Sequence, residues 1–301
     1  MTTTGAPGAG PRSTGPHVAA PASSPTAPGV LTHRVPTPLG TVAVHDHPAD
    51  DPAAPVALLW HSMFADSSSW AAVVPALTPH RRLLVVDGPG YGASAPLTRR
   101  STIAESARVG EAVLDHLGVD AVDWVGNAWG GHAGLHLAAT RPSRVRTLVA
   151  VSAPVNALMR QQLALVRVLT AALAVVGPVR PLRDRIAEVQ LAQPQGPRRP
   201  VLDAALRRPS RRSLAMTVRS FIIARTDLSW ALPRIAVPTL VVATDDRYDW
   251  TPELAEAAAR ALPRGTFATV HGANVVAPLE QPAATAELVL AFWAEHGARP
   301  V

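Results

Sequence analysis

The chain has 301 residues, of which 48% are apolar, enough for the core of one large domain with an insertion. It contains no cysteine, which excludes disulfides and thiolate-bound metals. The net charge of +6 is modest for this length, and all 28 basic residues are arginine. We therefore expect a soluble globular protein.

Residues 1–29 are almost entirely Thr, Gly, Ala, Pro and Ser. Such a segment buries too little apolar surface to offset the entropy of ordering, so we expect a disordered tail. It lacks the charged start and apolar stretch of a signal peptide. Secretion is therefore not supported, and a cytoplasmic location is expected.

Short apolar runs and helical patterns alternate along the rest of the chain. Strands are predicted at residues 41–45, 56–60, 82–86, 121–125, 145–151, 238–243 and 267–271. Helices are predicted at residues 69–77, 102–117, 130–140, 252–262 and 282–294. This alternation predicts an α/β fold with a mostly parallel central sheet and helices on both faces.

Residues 154–228 break the alternation, because they contain helical patterns and no convincing strand. They predict a helical lid inserted over the carboxyl edge of the sheet. Thirteen arginines lie between Arg160 and Arg225, against three acidic residues. This charge is compatible with anionic ligands or a membrane surface, but a solvated face is the favoured interpretation.

Two classes of partner are not expected for this lid. The arginines lack the interleaved aromatic residues of a nucleic-acid site. The apolar stretch at residues 162–176 is too short to span a bilayer, and Arg167 interrupts it. We therefore expect neither nucleic-acid binding nor stable membrane insertion.

The most informative stretch is residues 125–131, which read VGNAWGG between a predicted strand and a predicted helix. Small residues at Gly126, Ala128 and Gly130 allow the chain to turn within a few residues. The arrangement resembles the G-x-S-x-G nucleophile elbow, in which a serine is held above the carboxyl edge of a sheet. Here the central position is Ala128, whose methyl group cannot act as a nucleophile.

Four further stretches extend this resemblance to nearly the whole chain after residue 31. They read HSMF at residues 61–64, DGPGYGAS at 87–94, TLVVATDD at 239–246 and HGANVVAPLEQP at 271–282. In this order they are similar to the α/β-hydrolase superfamily, most of all to its lid-bearing esterases, lactonases, epoxide hydrolases and haloalkane dehalogenases. The resemblance implies an α/β-hydrolase fold, with a core at residues 30–153 and 229–301 and the lid at 154–228.

The resemblance also assigns the positions of a catalytic triad. The nucleophile position is Ala128, the acid position is Asp246 with Asp245 as the less favoured neighbour, and the histidine position holds Val275. Two of the three positions therefore cannot take part in acyl or proton transfer. Loss of such groups lowers turnover by roughly 10⁶-fold, so ordinary serine-esterase activity is not expected.

The oxyanion hole, which stabilises negative charge on a substrate oxygen, is expected to remain. In the family, the backbone N–H groups at the positions of Met63 and Trp129 form the oxyanion hole. Ser62 replaces the glycine that usually follows His61. We expect His61, Ser62, Asn127 and Trp250 to line the pocket around this hole.

Several titratable residues allow more than one interpretation. His61 is favoured as a structural histidine over a catalytic one, and His271 is a possible relocated base at the end of a strand. His132 and His136 share a helix face but lack a third metal ligand, so no metal site is predicted. Asp246 is either an acid–base group or the partner of a salt bridge such as one with Arg247.

Three functions remain open at this point. The first is an enzyme that acts on a small apolar or carbonyl-containing molecule through the oxyanion hole and Asp246, by non-triad hydrolysis, elimination or cyclisation. The second is a catalytically inactive protein that binds a small ligand. The third is a hydrolase with relocated groups, such as Ser62 with His61 or His271. No cofactor is implied, and the pattern predicts neither the substrate nor the oligomeric state.

Overall fold

The computed structural model describes residues 1–2, 29–158, 160–245 and 249–296. Its central feature is an eight-stranded sheet with the strand order β1-β2-β4-β3-β5-β6-β7-β8. The strands are β1 (Leu31–Val35), β2 (Val42–His47), β3 (Val56–Trp60), β4 (Arg82–Asp87), β5 (Val122–Asn127), β6 (Val145–Val151), β7 (Thr239–Ala243) and β8 (Gly265–Thr269). The predicted tail at residues 1–29 falls almost wholly outside the described residues.

The sheet is mostly parallel, as predicted. Only the β1–β2 and β2–β4 pairs are antiparallel, and every other neighbouring pair is parallel. Parallel strands place their carboxyl ends at one edge, so the loops that follow β3, β5, β7 and β8 meet there. This edge carries the candidate site.

Strands β1 and β8 differ most from the sequence prediction. Strand β1 was not predicted, because its residues are mainly exposed and lack a clear apolar alternation; pairing with β2 stabilises it. Strand β8 begins two residues earlier than predicted because Gly265 already pairs with Thr239 of β7.

Ten α-helices occur in the described part of the chain. They are α1 (Val74–Leu77), α2 (Ile103–His116), α3 (Trp129–Thr140), α4 (Arg160–Val176), α5 (Arg180–Gln190), α6 (Arg199–Arg207), α7 (Arg211–Val218), α8 (Pro252–Arg260), α9 (Ala277–Glu280) and α10 (Pro282–His296). The predicted helix at residues 69–77 is two short pieces, a 3₁₀ turn at Ser67–Trp70 and α1. The buried Asp66 carboxylate caps the first piece by accepting the N–H of Ser68.

Helices cover both faces of the sheet, which confirms the predicted layering. Adjacent strand residues point to opposite faces, and both faces are apolar: Leu58 and Trp60 belong to one core, Ala57 and Leu59 to the other. Helices α2, α3 and α8 contribute to the first core, and α1 and α10 to the second. The sheet is thus a rigid support for the loops at its carboxyl edge.

Residues 154–228, called the insertion below, connect β6 to the region before β7. Their described part contains α4 to α7 and a π-helical turn at Arg219–Ile223, and no strand. Within the described chain, every helix is too short or too polar to cross a membrane.

Candidate functional site

The elbow at residues 126–130 joins β5 to α3 in a strained conformation. Ala128 has φ 47° and ψ −103°, a backbone geometry that costs a side-chain-bearing residue about 1–3 kcal/mol. A Cβ on Gly126 would lie 2.2 Å from the carbonyl carbon of Gly130, and a Cβ on Gly130 would lie 2.3 Å from the carbonyl oxygen of Trp60. Glycine is therefore required at both positions for the turn to close.

Two backbone donors at the elbow and the 61–65 loop have no partner among the described residues. No hydrogen bond to a described residue is made by the N–H of Met63 or by that of Trp129, the first residue of α3. The Gly130 N–H donates to the His61 carbonyl at 3.3 Å, which holds the 61–65 loop against the start of α3. Free N–H groups at a helix start favour negative charge, so this arrangement suits the oxygen of a polarised carbonyl.

The surface that reaches solvent at this point is apolar. Ala128, Phe64 and Val275 are all half-buried, whereas Met63 and Trp129 are buried. Phe64 lies at φ 68°, which turns the 61–65 loop over the elbow. A ligand with a carbonyl group and an apolar body matches these two properties.

Val275 lies beside the elbow, where the loop after β8 returns to β5. The Asn127 side-chain amide donates to the Val275 carbonyl at 2.7 Å and to the Val151 carbonyl at 3.2 Å. Asn127 is fully buried, its amide N–H groups are used in these bonds and its Oδ1 has no partner among the described residues, so its assignment to the pocket stays a prediction. Its role is to hold this loop against the elbow.

The geometry around His61 and Ser62 contradicts their use as a relocated catalytic pair. His61 is fully buried; its Nδ1 donates to the Ser62 carbonyl at 2.7 Å and its Nε2 accepts the Gly88 N–H at 2.9 Å. Burial lowers the pKa of His61, which keeps the ring neutral in this tautomer. Both ring nitrogens are occupied, so His61 is a structural histidine, and neither it nor the buried Ser62 lines an open pocket.

His271 forms a pair with Asp245 at some distance from the elbow. Its Nδ1 lies 3.0 Å from Asp245 Oδ1, and the other carboxylate oxygen accepts the Gly272 N–H at 2.6 Å. Strand β8 is three strands from β5, so three spacings of about 4.8 Å separate the strand ends by roughly 14 Å. His271 is largely exposed there and is not placed to serve Ala128. Asp246 and Arg247 lie outside the described residues.

Gln190 and Glu280 are polar contributors that the sequence patterns did not reveal. Gln190 ends α5, and its side-chain oxygen accepts the Ser62 hydroxyl at 3.3 Å. The Glu280 carboxylate accepts three N–H groups, two from residues 192–193 of the insertion and one from Asn274 in the loop after β8. No motif signals these contacts because the bonded residues are far apart in the chain.

Two further candidates, Trp250 and His132, are buried. Trp250 is only 1% exposed, and its place in the pocket stays a prediction. His132 is buried with its Nε2 at 2.9 Å from the Pro154 carbonyl, and burial lowers its pKa to about 3. In the part of the chain that the structure describes, no three His, Cys, Asp or Glu side chains are grouped to hold a metal ion.

Comparison with known proteins extends these observations. The family described as alpha/beta hydrolase fold matches residues 55–272. A hydrolase from Pseudomonas aeruginosa superposes with a TM-score of 0.78 at 26% identity, covering 89% of this chain and 99% of that one. A thermophilic esterase from Thermogutta terrifontis gives 0.79 at 19% identity with the same coverage, and the enol-lactonase from Burkholderia xenovorans gives 0.75 at 22%, covering 84% and 97%.

Curated relatives match over shorter segments. A 2-hydroxy-6-oxononadienedioate/2-hydroxy-6-oxononatrienedioate hydrolase from Cupriavidus pinatubonensis is 34% identical over 31% of this chain and 34% of its own length. A pimeloyl-[acyl-carrier protein] methyl ester esterase from Yersinia enterocolitica is 37% identical over 32% of this chain and 35% of its own. The chain thus matches only about a third of the length of these relatives.

Proposed function

Because the chain belongs to the α/β-hydrolase fold family, we propose that its elbow binds a small apolar carbonyl compound and polarises it without forming an acyl-enzyme. The carbonyl oxygen accepts the N–H groups of Met63 and Trp129. The apolar body of the ligand rests on Phe64 and Val275. Asp246 supplies the acid or base, for non-triad hydrolysis, elimination or cyclisation.

One observation carries this proposal. Ala128 retains a strained backbone that an alanine has no intrinsic reason to adopt, with φ 47°, while the N–H of the next residue has no partner among the described residues. Strain of this kind persists where the surrounding structure over-determines it, and it clusters at functional sites. We therefore infer that the N–H donors of a carbonyl site are retained, although position 128 carries no nucleophile.

The named relatives support the ligand class. An oxo-dienedioate hydrolase, a methyl ester esterase and an enol-lactonase all have carbonyl compounds in their names. Preorganised N–H donors stabilise an oxyanion whether it forms by attack of water, by enolisation or by ring closure. The same hole thus serves several reactions that need no nucleophilic side chain.

The test is turnover of a panel of aryl esters, lactones and enolisable ketones by three proteins: the natural chain, Asp246→Asn, and Ala128→Ser/Val275→His. We expect the natural chain to turn over at least one panel member, and Asp246→Asn to lose that activity while still binding the compound. We expect the double variant to gain ester hydrolysis. Turnover that is unchanged in Asp246→Asn would remove Asp246 from the mechanism.

A second candidate, a non-catalytic ligand-binding protein, is favoured by a separate observation. Both ring nitrogens of His61 are engaged, His132 is buried with its Nε2 at the Pro154 carbonyl, and His271 lies three strands from the elbow, so the described histidines do not form a base beside Ala128. This candidate expects saturable binding of panel compounds with no product. Any product whose formation depends on Asp246 would exclude it.

A further inference from the structure

A cavity of about 450 Å³ lies between the insertion and the loop after β4. Three arginines line it: Arg100 from that loop, Arg167 from α4 and Arg219 from the π-helical turn. Apolar side chains of Ala171, Ile223 and Ala224 complete part of its wall. A volume of this size is within the range of small-molecule sites.

The three arginines have no acidic partner among the described residues, unlike several other arginines of the insertion. Arg183, Arg199, Arg208 and Arg225 in the insertion all pair with aspartates. In the described part of the chain, no hydrogen bond or ion pair engages the side chains of the cavity arginines, and no acidic residue is among the described residues that line the cavity. The positive charge of the cavity is therefore not neutralised within the described protein.

Arg100 and Arg167 are exposed and Arg219 is half-buried, so all three guanidinium groups can be reached from solvent and attract an anion placed among them. Guanidinium donates paired N–H groups that match carboxylate and phosphate oxygens. The apolar wall suits an alkyl or ring substituent beside the anionic group. The two properties together describe an amphiphilic monoanion or dianion.

The cavity has a structural connection to the elbow. The π-helical turn that carries Arg219 and Ile223 also carries Phe221, whose ring stacks on Trp129 at a centroid distance of 4.5 Å. The Ser101 N–H donates to the Ser220 hydroxyl at 3.1 Å, which joins the loop of Arg100 to the same turn. π-Helical turns are rare and are frequent at functional sites.

We propose that this cavity is an anion-binding site for a carboxylate or phosphate monoester attached to an apolar group. The site is separate from the carbonyl site at the elbow and does not depend on it. The anion lies among Arg100, Arg167 and Arg219, and its substituent contacts Ile223 and Ala171. The same chemistry is offered by a soluble metabolite and by the headgroup of an anionic lipid.

The test measures binding of hexyl phosphate and hexanoate by calorimetry, with neutral 1-hexanol as the control ligand. The variants are Arg167→Gln, Arg219→Gln and their combination. Arg212→Gln is the matched control, because Arg212 is exposed on α7 and does not line the cavity. We expect the double variant to weaken hexyl phosphate binding roughly 10- to 100-fold, as loss of charge-assisted hydrogen bonds does. Arg212→Gln should leave it unchanged, and 1-hexanol should not bind.

Sedimentation with phosphatidic acid vesicles, whose headgroup is a phosphate monoester, separates the two sources of the anion. Vesicle binding without hexyl phosphate binding, lost in the double variant, identifies the lipid headgroup as the ligand. If Arg212→Gln weakened hexyl phosphate binding as much as the double variant does, the binding would reflect a generally basic surface and the proposal would be overturned. The proposal would also be overturned if neither hexyl phosphate, hexanoate nor the vesicles bound to the natural chain. None of these measurements requires turnover, so the outcome is independent of the proposed reaction.

Discussion

At position 128 an alanine occupies the strained turn between β5 and α3, with φ 47°. The geometry follows from its neighbours: Gly126 and Gly130 permit close backbone contacts, and the Ala128 N–H donates to the Val151 carbonyl at 2.8 Å. A strained residue that is held by its surroundings keeps its conformation when its side chain changes. This is the physical reason for expecting Ala128→Ser to present its hydroxyl correctly.

Asp87 is a residue whose ionisation contributes to stability. Burial alone would raise the pKa of its carboxyl, but hydrogen bonds from His45 and from the Ala93 N–H lower it to about 2. A carboxyl with a lowered folded-state pKa stabilises the fold above its unfolded pKa, and this contribution is lost as pH falls from about 4 to about 2. We expect a loss of about 2 kcal/mol in unfolding free energy over that range.

Urea unfolding at a series of pH values measures this effect. Asp87→Asn should be less stable at neutral pH and should show a flatter profile between pH 4 and 2, because the titrating group is gone. Asp120→Asn, at an exposed site, is the control and should follow the natural chain. An unaltered acid limb in Asp87→Asn would refute the assignment.

At the scale of elements, one carboxylate fastens the insertion to the loop after β8. Glu280 of α9 accepts the N–H groups of Ala192, Gln193 and Asn274 at 2.8, 3.3 and 2.9 Å. The end of α5 is thereby fixed beside the loop that carries Val275. Gln190, the last residue of α5, reaches Ser62 from this position.

Removing this carboxylate should loosen both segments together. We expect Glu280→Ala to increase amide hydrogen exchange at residues 191–193 and 272–276 and to lower the unfolding free energy by about 1 kcal/mol, since three N–H groups lose their acceptor. Glu280→Gln, which keeps one acceptor oxygen, should have a smaller effect.

Glu287→Ala supplies the matched control, because Glu287 is exposed on the neighbouring helix α10. Its exchange profile should match that of the natural chain. Faster exchange confined to only one of the two segments in Glu280→Ala would show that the carboxylate does not couple them.

At the scale of the whole molecule, the carboxyl ends and the amino ends of the strands have different roles. The carboxyl edge carries the elbow and its loops. Toward the amino edge, the fully buried Asp123 accepts hydrogen bonds from Arg81 at 2.8 Å, Arg146 at 3.2 Å and Thr147 at 3.0 Å. This cluster joins β4, β5 and β6 away from the site.

We expect Asp123→Asn to reduce the unfolding free energy by about 3–5 kcal/mol, because the buried Asp123 carboxylate then no longer pairs with the Arg81 guanidinium. Ligand binding at the elbow should be unchanged at temperatures where the variant is folded. Denaturant unfolding and binding of a panel compound measure the two quantities.

An exposed ion pair provides the comparison. Glu256→Gln removes the partner of Arg260 on α8, a pair separated by 2.9 Å and open to solvent, and should change stability by less than about 1 kcal/mol. A comparable effect of the two substitutions would contradict the distinction between the buried and the exposed pair.

The local pattern of the chain determined the architecture. Alternating apolar strands and amphipathic helices are short-range signals, so the parallel sheet, its two covered faces and the elbow turn could be predicted. Strand β1 could not, because its exposed residues carry no such pattern and it exists only by pairing with β2. The substitutions at Ala128 and Val275 are visible in the sequence itself.

Only the tertiary structure decided which polar groups are available for chemistry. His61 and Ser62 looked like pocket residues, but their hydrogen bonds turn them toward the protein. Gln190 and Glu280 meet the site through contacts across the chain, and the arginines of the basic cavity come from three separate elements. Secondary-structure propensity and hydrophobic periodicity are local properties, so the sequence alone determined the sheet, its helices and the elbow. Burial and hydrogen bonding depend on long-range packing, so only the tertiary structure decided which polar side chains are free to act.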